Sequence, residues 1–196
     1  MATYHAIAAT SQAILNLLAN ACPTPEFAGI RFELYESRNF QSPMEEGLSL
    51  YLYRIAPSEM RRNLPPRTAA DGRKFRPPIP IDLHYLLMAW AKDSVKQQRI
   101  LGWALRTLED TPILPSGLLN QPGPEPDTFR PEETVEVVLQ ALSITDLNYI
   151  WEVARDKQQP SIALAARMIT IESTELQTEG PPVETRVFGP GKVVAA

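Results

Sequence analysis

Proline sets the outer limits on what this chain can fold into. Nineteen of its 196 residues are proline, about twice the usual ~5%. Six lie between Pro57 and Pro80, and six more between Pro112 and Pro131. Proline lacks the N–H that a helix interior or a central strand needs, so the first stretch is expected to be a long surface loop or arm rather than core, and the second is broken by no more than a short turn at Leu118-Leu119. Only nine glycines accompany them, which makes these connections stiff and extended rather than floppy. A content of 44% hydrophobic residues is enough to build a core.

Periodicity divides that remainder into elements. Residues 4–21 place Ile7, Ser11, Ile14, Leu18 and Ala21 at helical spacing, widened by Leu15 and Leu17, until Pro23 and Pro25 stop the pattern. Residues 30–36 alternate, with Ile30, Phe32 and Leu34 set against Arg31, Glu33 and Tyr35, which predicts a strand with one wet face. Residues 48–55 alternate likewise, Leu48, Leu50 and Leu52 against Ser49, Tyr51 and Tyr53. The polar stretch Ser37–Gly47 between them is too long for a tight hairpin turn. The near-continuous apolar run Ile81–Ala91 predicts a central strand covered on both faces.

Residues 93–109 return to helical spacing, with Val95, Ile100, Leu101, Ala104, Leu105 and Leu108 inward and Asp93 or Ser94 as N-cap. Residues 134–141 and 162–172 read as strands. Between them Ser143 and Asp146 open a helix at about 144–155, with Ile144, Leu147, Ile150, Trp151 and Ala154 inward. The expected fold is therefore α/β (α+β). A mostly antiparallel or mixed sheet of about five strands packs on two long helices and one short one, with proline-rich arms. The expected division is a domain over 1–172 and an extended arm over 173–196.

Charge narrows the function. The net charge is −4 and the pI about 5.3, so a general nucleic-acid binder is not expected. The charges are segregated, however. Arg54, Arg61, Arg62, Arg67, Arg73, Lys74 and Arg76 crowd the first proline-rich stretch against Glu59 and Asp71. From Glu109 to Glu136 seven acids face Arg130 alone, and Glu109 and Asp110 oppose the dipole of the helix they end. Opposite patches on one chain suit contact with copies of itself or with a neighbour. The candidate contact residues are Arg61, Arg62, Arg73, Lys74, Arg76, Glu109 and Asp110. In the C-terminal arm Val183, Thr185 and Val187 alternate with Glu184, Arg186 and Phe188, a segment able to join a neighbour's sheet edge.

Reactive chemistry is poorly represented. No phosphate loop, dinucleotide fingerprint, zinc-protease motif or nucleophile elbow occurs. Asp82 and His84 share one side of a strand and could form two-thirds of a hydrolytic triad, but no serine stands in a nucleophile's setting; a polar rim is the better reading. The lone Cys22 follows a helix C-terminus, the wrong end of the dipole for a reactive thiol. Glu45-Glu46 and Glu132-Glu133 read as solvated loop charge rather than a glycosidase pair. With two histidines and one cysteine, no metal site or other cofactor is expected. Ala19-Asn20-Ala21 looks like a signal-peptidase site, yet no Lys or Arg precedes Arg31 and polar residues break the apolar stretch, so a secretory signal is not expected. No run is long enough to span a membrane.

Four blocks carry a resemblance: LSLYLYRI (48–55), PPIPIDLHYLLMAWA (77–91), QQRILGWALRTLEDTPILPSGLLN (97–120) and LSITDLNYIWEVARDKQQPSIALAARMITI (142–171). Together they resemble the cap, or tail-terminator, proteins of extracellular contractile injection systems, which are phage-tail-like particles. The similarity runs from Tyr4 to Ile171, and Pro77–Asn120 is its most specific part. It implies a non-enzymatic structural protein forming a ring, usually six-fold, on the last layer of inner tube and contractile sheath. The implied partners are the protein itself, the tube protein and the sheath protein, in a particle assembled in the cytoplasm, with no nucleic acid and no membrane insertion. Two rival readings remain: an adaptor between such a particle and an envelope component, and a small hydrolase using Asp82 and His84.

Overall fold

The structure, a computed structural model, describes residues 2–60, 63–120 and 128–177. The chain begins with helix α1 (Ala6–Ala21), then strand β1 (Arg31–Tyr35), a 3-10 turn over Ser37–Gln41, and β2 (Gly47–Pro57). A short hairpin of β3 (Arg67–Thr68) and β4 (Lys74–Phe75) precedes the long β5 (Ile79–Trp90) and helix α2 (Ser94–Asp110). There follow β6 (Ile113–Pro115), α3 (Ser116–Leu119), β7 (Thr134–Leu139), α4 (Ile144–Trp151) with a 3-10 turn to Lys157, and β8 (Ser161–Ile171).

Six of these strands form one sheet in the order β1-β2-β5-β8-β7-β6. β1 and β2 are parallel and the other pairs antiparallel, so the sheet is mixed. Parallel pairing explains why the 37–47 connection is not a hairpin turn: the chain must return to the starting end before β2 can begin. It lands at Gly47, where a Cβ would run into the Arg31 carbonyl oxygen and the Met44 sulfur, so only glycine lets the two strands close here.

β5 is central and buried on both faces, as its apolar run predicts. Leu83, Tyr85 and Leu87 point to one face, where Ile14 and Leu18 of α1 and Ile100, Ala104 and Leu108 of α2 cover them. Leu86, Met88 and Trp90 point to the other, against Tyr35, Phe40, Met44 and Trp151. On that second face Phe40 stands edge-on to Tyr35, Tyr51 and Trp151, with ring centroids 5.5, 5.3 and 5.9 Å away. Such edge-to-face contacts are favoured by the ring quadrupole. On the first face the Tyr85 hydroxyl is wholly buried and bonds Ser11 Oγ at 2.8 Å, which explains a serine within the apolar stripe of α1.

Six side chains depart from the sequence expectation. Leu34 is 43% exposed while Tyr35 is only 6% exposed. β1 lies at the sheet edge, and the aromatic cluster takes Tyr35, whose hydroxyl accepts the Met44 N–H at 2.8 Å. In α2, Val95 and Leu105 face outward, and Gln97 is buried instead, donating Nε2 to the Ala89 carbonyl at 2.8 Å. The phase follows the N-cap: Asp93 accepts the Lys96 N–H, and the inward stripe becomes Gln97, Ile100, Ala104 and Leu108. Ser143 caps α4 as expected, accepting the Asp146 N–H at 3.1 Å, but Ile144 is left 79% exposed. β6 and the β3–β4 hairpin lie in proline-rich sequence too short and irregular to show a period.

Candidate interaction surfaces

The basic stretch is partly built structure. Arg67↔Phe75 and Thr68↔Lys74 pair across the hairpin. Its turn is closed by Ala69 N–H to Arg73 O and Gly72 N–H to Ala69 O, with Gly72 at φ +84°. The Arg67 guanidinium stacks 4.1 Å above the Phe75 ring. Arg73 holds the Asp71 carboxylate at 2.7 Å, and the backbone N–H and guanidinium of Arg73 lower the acid's pKa. Both side chains are largely exposed, so this pair contributes little to stability.

The chain leaving β8 returns to this hairpin. Arg76 N–H donates to Glu175 O and Gln177 N–H to Lys74 O, both at 2.9 Å, and Phe75 bridges to Leu176. Residues 175–177 thus lie alongside β4, held by these two hydrogen bonds and an isolated bridge. Glu172 fastens the junction. Its carboxylate accepts Arg130 Nη2 at 2.6 Å and sits 2.9 Å from Arg67 Nε, an ion pair that is not an aligned hydrogen bond. The Glu172 side chain is only 11% exposed. One carboxylate therefore ties the hairpin, the end of the acidic stretch and the origin of the C-terminal segment together.

At the acidic end, Asp110 is ion-paired to Arg106 one helical turn earlier. That cation accounts for a carboxylate at the unfavourable end of α2. Glu109 is exposed. Of the sequence-predicted contact residues, Arg73, Lys74 and Arg76 come together on the hairpin, and Glu109 and Asp110 sit at the end of α2. Arg61, Arg62, Val183, Thr185, Val187 and Phe188 lie outside the described residues.

The residues singled out for chemistry are engaged structurally. Asp82 Oδ1 accepts the Met168 N–H at 2.8 Å, bracing a bulge in β8 where Met168 has φ +60°. His84 Nδ1 lies 2.9 Å from Gln140 Oε1. Glu45 and Glu46 pair with Lys92 and Lys96 at 2.9 and 2.6 Å. Glu133 accepts the Arg130 N–H at 2.6 Å. Cys22 is half-buried, and burial raises its pKa. A cavity of about 360 Å³ between Ala2, Phe129, Glu132 and Met168 is open to solvent. Among the described residues no helix is long and apolar enough to cross a membrane.

Sequence periodicity misses one surface, the asymmetry of the two sheet edges. β6 is three residues long, ends at Pro115 and follows Pro112, which blunts it against further pairing. β1 has no such guard.

The family model described as the Pvc16 N-terminal domain matches residues 9–185. No curated protein sequence matches. Among solved structures, the sheath/tube terminator of an extracellular contractile injection system, PVC, in its extended state superposes with TM-score 0.62 at 14% identity, over 95% of this chain. The anti-feeding prophage cap, a tube-terminating cap, superposes with TM-score 0.57 at 14% identity, over 92% of this chain. The chain spans 65% and 60% of those two proteins' lengths. At this identity the superpositions establish a common fold.

Proposed function

The chain belongs to the Pvc16 N-terminal domain family, and on that footing we propose that it is a structural cap ending the tube and sheath of a contractile injection particle. The observation that carries this reading is the superposition of nearly the whole chain on two terminators of such particles. The surfaces are consistent with it, since the polar side chains that could have formed a catalytic site are engaged in ion pairs, a backbone contact and a side-chain hydrogen bond. Copies join head to tail into a ring, six-fold as the resemblance implies, and a closed ring leaves no free end for growth. The basic side, Arg61, Arg62, Arg73, Lys74 and Arg76, meets the acidic side of a neighbour, Glu109 and Asp110 included. Many weak contacts repeated around a ring hold by effective concentration, so no single one need be strong. The ring seats on the tube and sheath proteins, and the particle assembles in the cytoplasm. The segment Val183–Phe188 adds an extended contact.

The test is to assemble particles with the chain omitted, supplied whole, or cut after Gln177, which leaves the contact with β4 intact. Omission should give rods of uncontrolled length or loosened sheath, and the full chain should restore them. Rods of uniform length and normal cohesion without the chain would refute the reading.

A further inference from the structure

The unguarded edge of the sheet names an acceptor for the extended segment. Arg31 N–H donates toward β2, to the Glu46 carbonyl at 3.3 Å. In a strand alternate residues point the same way, so Glu33 and Tyr35 also face β2 while the N–H and C=O of Phe32 and Leu34 face outward. Among the described residues nothing pairs with those outward groups. Leu34 is half-exposed beside them, and neither proline nor lysine interrupts the strand. An open edge with an apolar side chain on it is a template for another strand.

We propose that β1 receives Val183–Phe188 of a neighbouring copy as a parallel strand, with Arg31 beside Glu184 and Glu33 beside Arg186. This rests on the head-to-tail contact proposed above. Charge selects the direction. Arg31 and Glu33 share one side of β1, 3.2 Å apart. Parallel pairing sets an opposite charge beside each, whereas an antiparallel strand with the same sides matched satisfies no more than one. The same register lays Val187 beside Leu34 and Phe188 beside Tyr35, at the margin of the aromatic cluster.

Reach selects the second copy. Gln177 is fixed beside Lys74, while Arg31, the partner of Glu184, aligns through Gly47 with Trp90. Along the strands that is roughly sixteen residues of extended chain, about 50 Å. The stretch from Gln177 to Glu184 spans at most about 25 Å. A chain cannot cover its own β1, but it can cover a neighbour's, which is the geometry of a heterologous ring contact.

Two full-length proteins test this, both carrying Cys22→Ser, one with Leu34→Cys and the other with Val187→Cys. They are mixed and gently oxidised, both free at high concentration and on assembled rods. Adjacent strands place these positions about 4.8 Å apart, within the span of a disulfide. A disulfide-linked heterodimer is expected, at least about tenfold above that of Leu34→Cys with the off-register Val183→Cys. Leu34→Pro removes only an outward N–H, so its melting curve should match the parent while it displaces poorly from rods already capped by the parent chain. No heterodimer under either condition, equal yield from the off-register pair, or a Leu34-to-Leu34 dimer in its place would overturn the pairing. If Leu34→Pro caps rods as the parent does, the pairing fails while the cap reading stands; if the parent does not cap rods, the cap reading itself fails.

Discussion

Replacing Glu172 by glutamine measures how firmly the arms are anchored. Glutamine keeps the shape and one acceptor oxygen but removes the charge shared by Arg130 and Arg67. The Arg130 hydrogen bond is short, 2.6 Å, and its acceptor is 11% exposed. A charge-assisted hydrogen bond of this kind contributes about 1.5–3 kcal/mol. The Arg67 contact is unaligned and Arg130 is 34% exposed, so water recovers part of the loss, and about 2 kcal/mol is expected in all. For a domain of this size that lowers the melting temperature by about 4–8 °C. Urea unfolding followed by circular dichroism gives the loss directly. A double-mutant cycle with Arg130→Met separates the pair from other changes. Amide exchange should quicken at Lys74–Arg76 and Glu175–Gln177 while the centre of β5 stays protected. A loss under about 0.5 kcal/mol, or unchanged exchange at the hairpin, would refute the clamp.

Three further outcomes follow. Tyr85→Phe should cost about 1 kcal/mol in urea unfolding, because Ser11 keeps its bond to the Ile7 carbonyl and only one hydrogen bond is lost. Burial raises the Tyr85 pKa far above 10. Above about pH 10 the unfolded chain gives up this proton and the folded one keeps it, so stability falls as pH rises, by about 1.4 kcal/mol per unit from this residue. Tyr85→Phe should flatten that slope. Gly102→Ala, on the open face of α2 where a Cβ meets nothing, should stabilise the folded protein by up to about 1 kcal/mol in the same assay.

Much of this fold is legible in the sequence because the strongest signals coincide with burial. The unbroken run in β5 announces the centre of the sheet, and Asp93 and Ser143 mark the helix starts. The aromatic second core is what misleads. Tyr35 reads as the wet side of β1, yet Phe40 and Trp90 offer it a packed place, and tertiary packing overrides the alternation. Leu105 and Val95 read as inward because an apolar count cannot fix a helix's phase when a glutamine fills the stripe. The Glu172 clamp joins residues 67, 130 and 172, whose proximity is set by the β5–β8 ladder and by no local spacing. The open edge at β1 shows only once strand order is known.

In the proposed role this chain sits on one end of a tube and sheath and closes it as a ring. The most direct measurement is electron microscopy of particles assembled with a gold-labelled copy of the chain, followed by averaging of the labelled ends. Label is expected at a single end of each rod, over a closed ring with the rotational symmetry of the tube beneath it. Label scattered along the rods, or rod ends identical with and without the chain, would contradict that role.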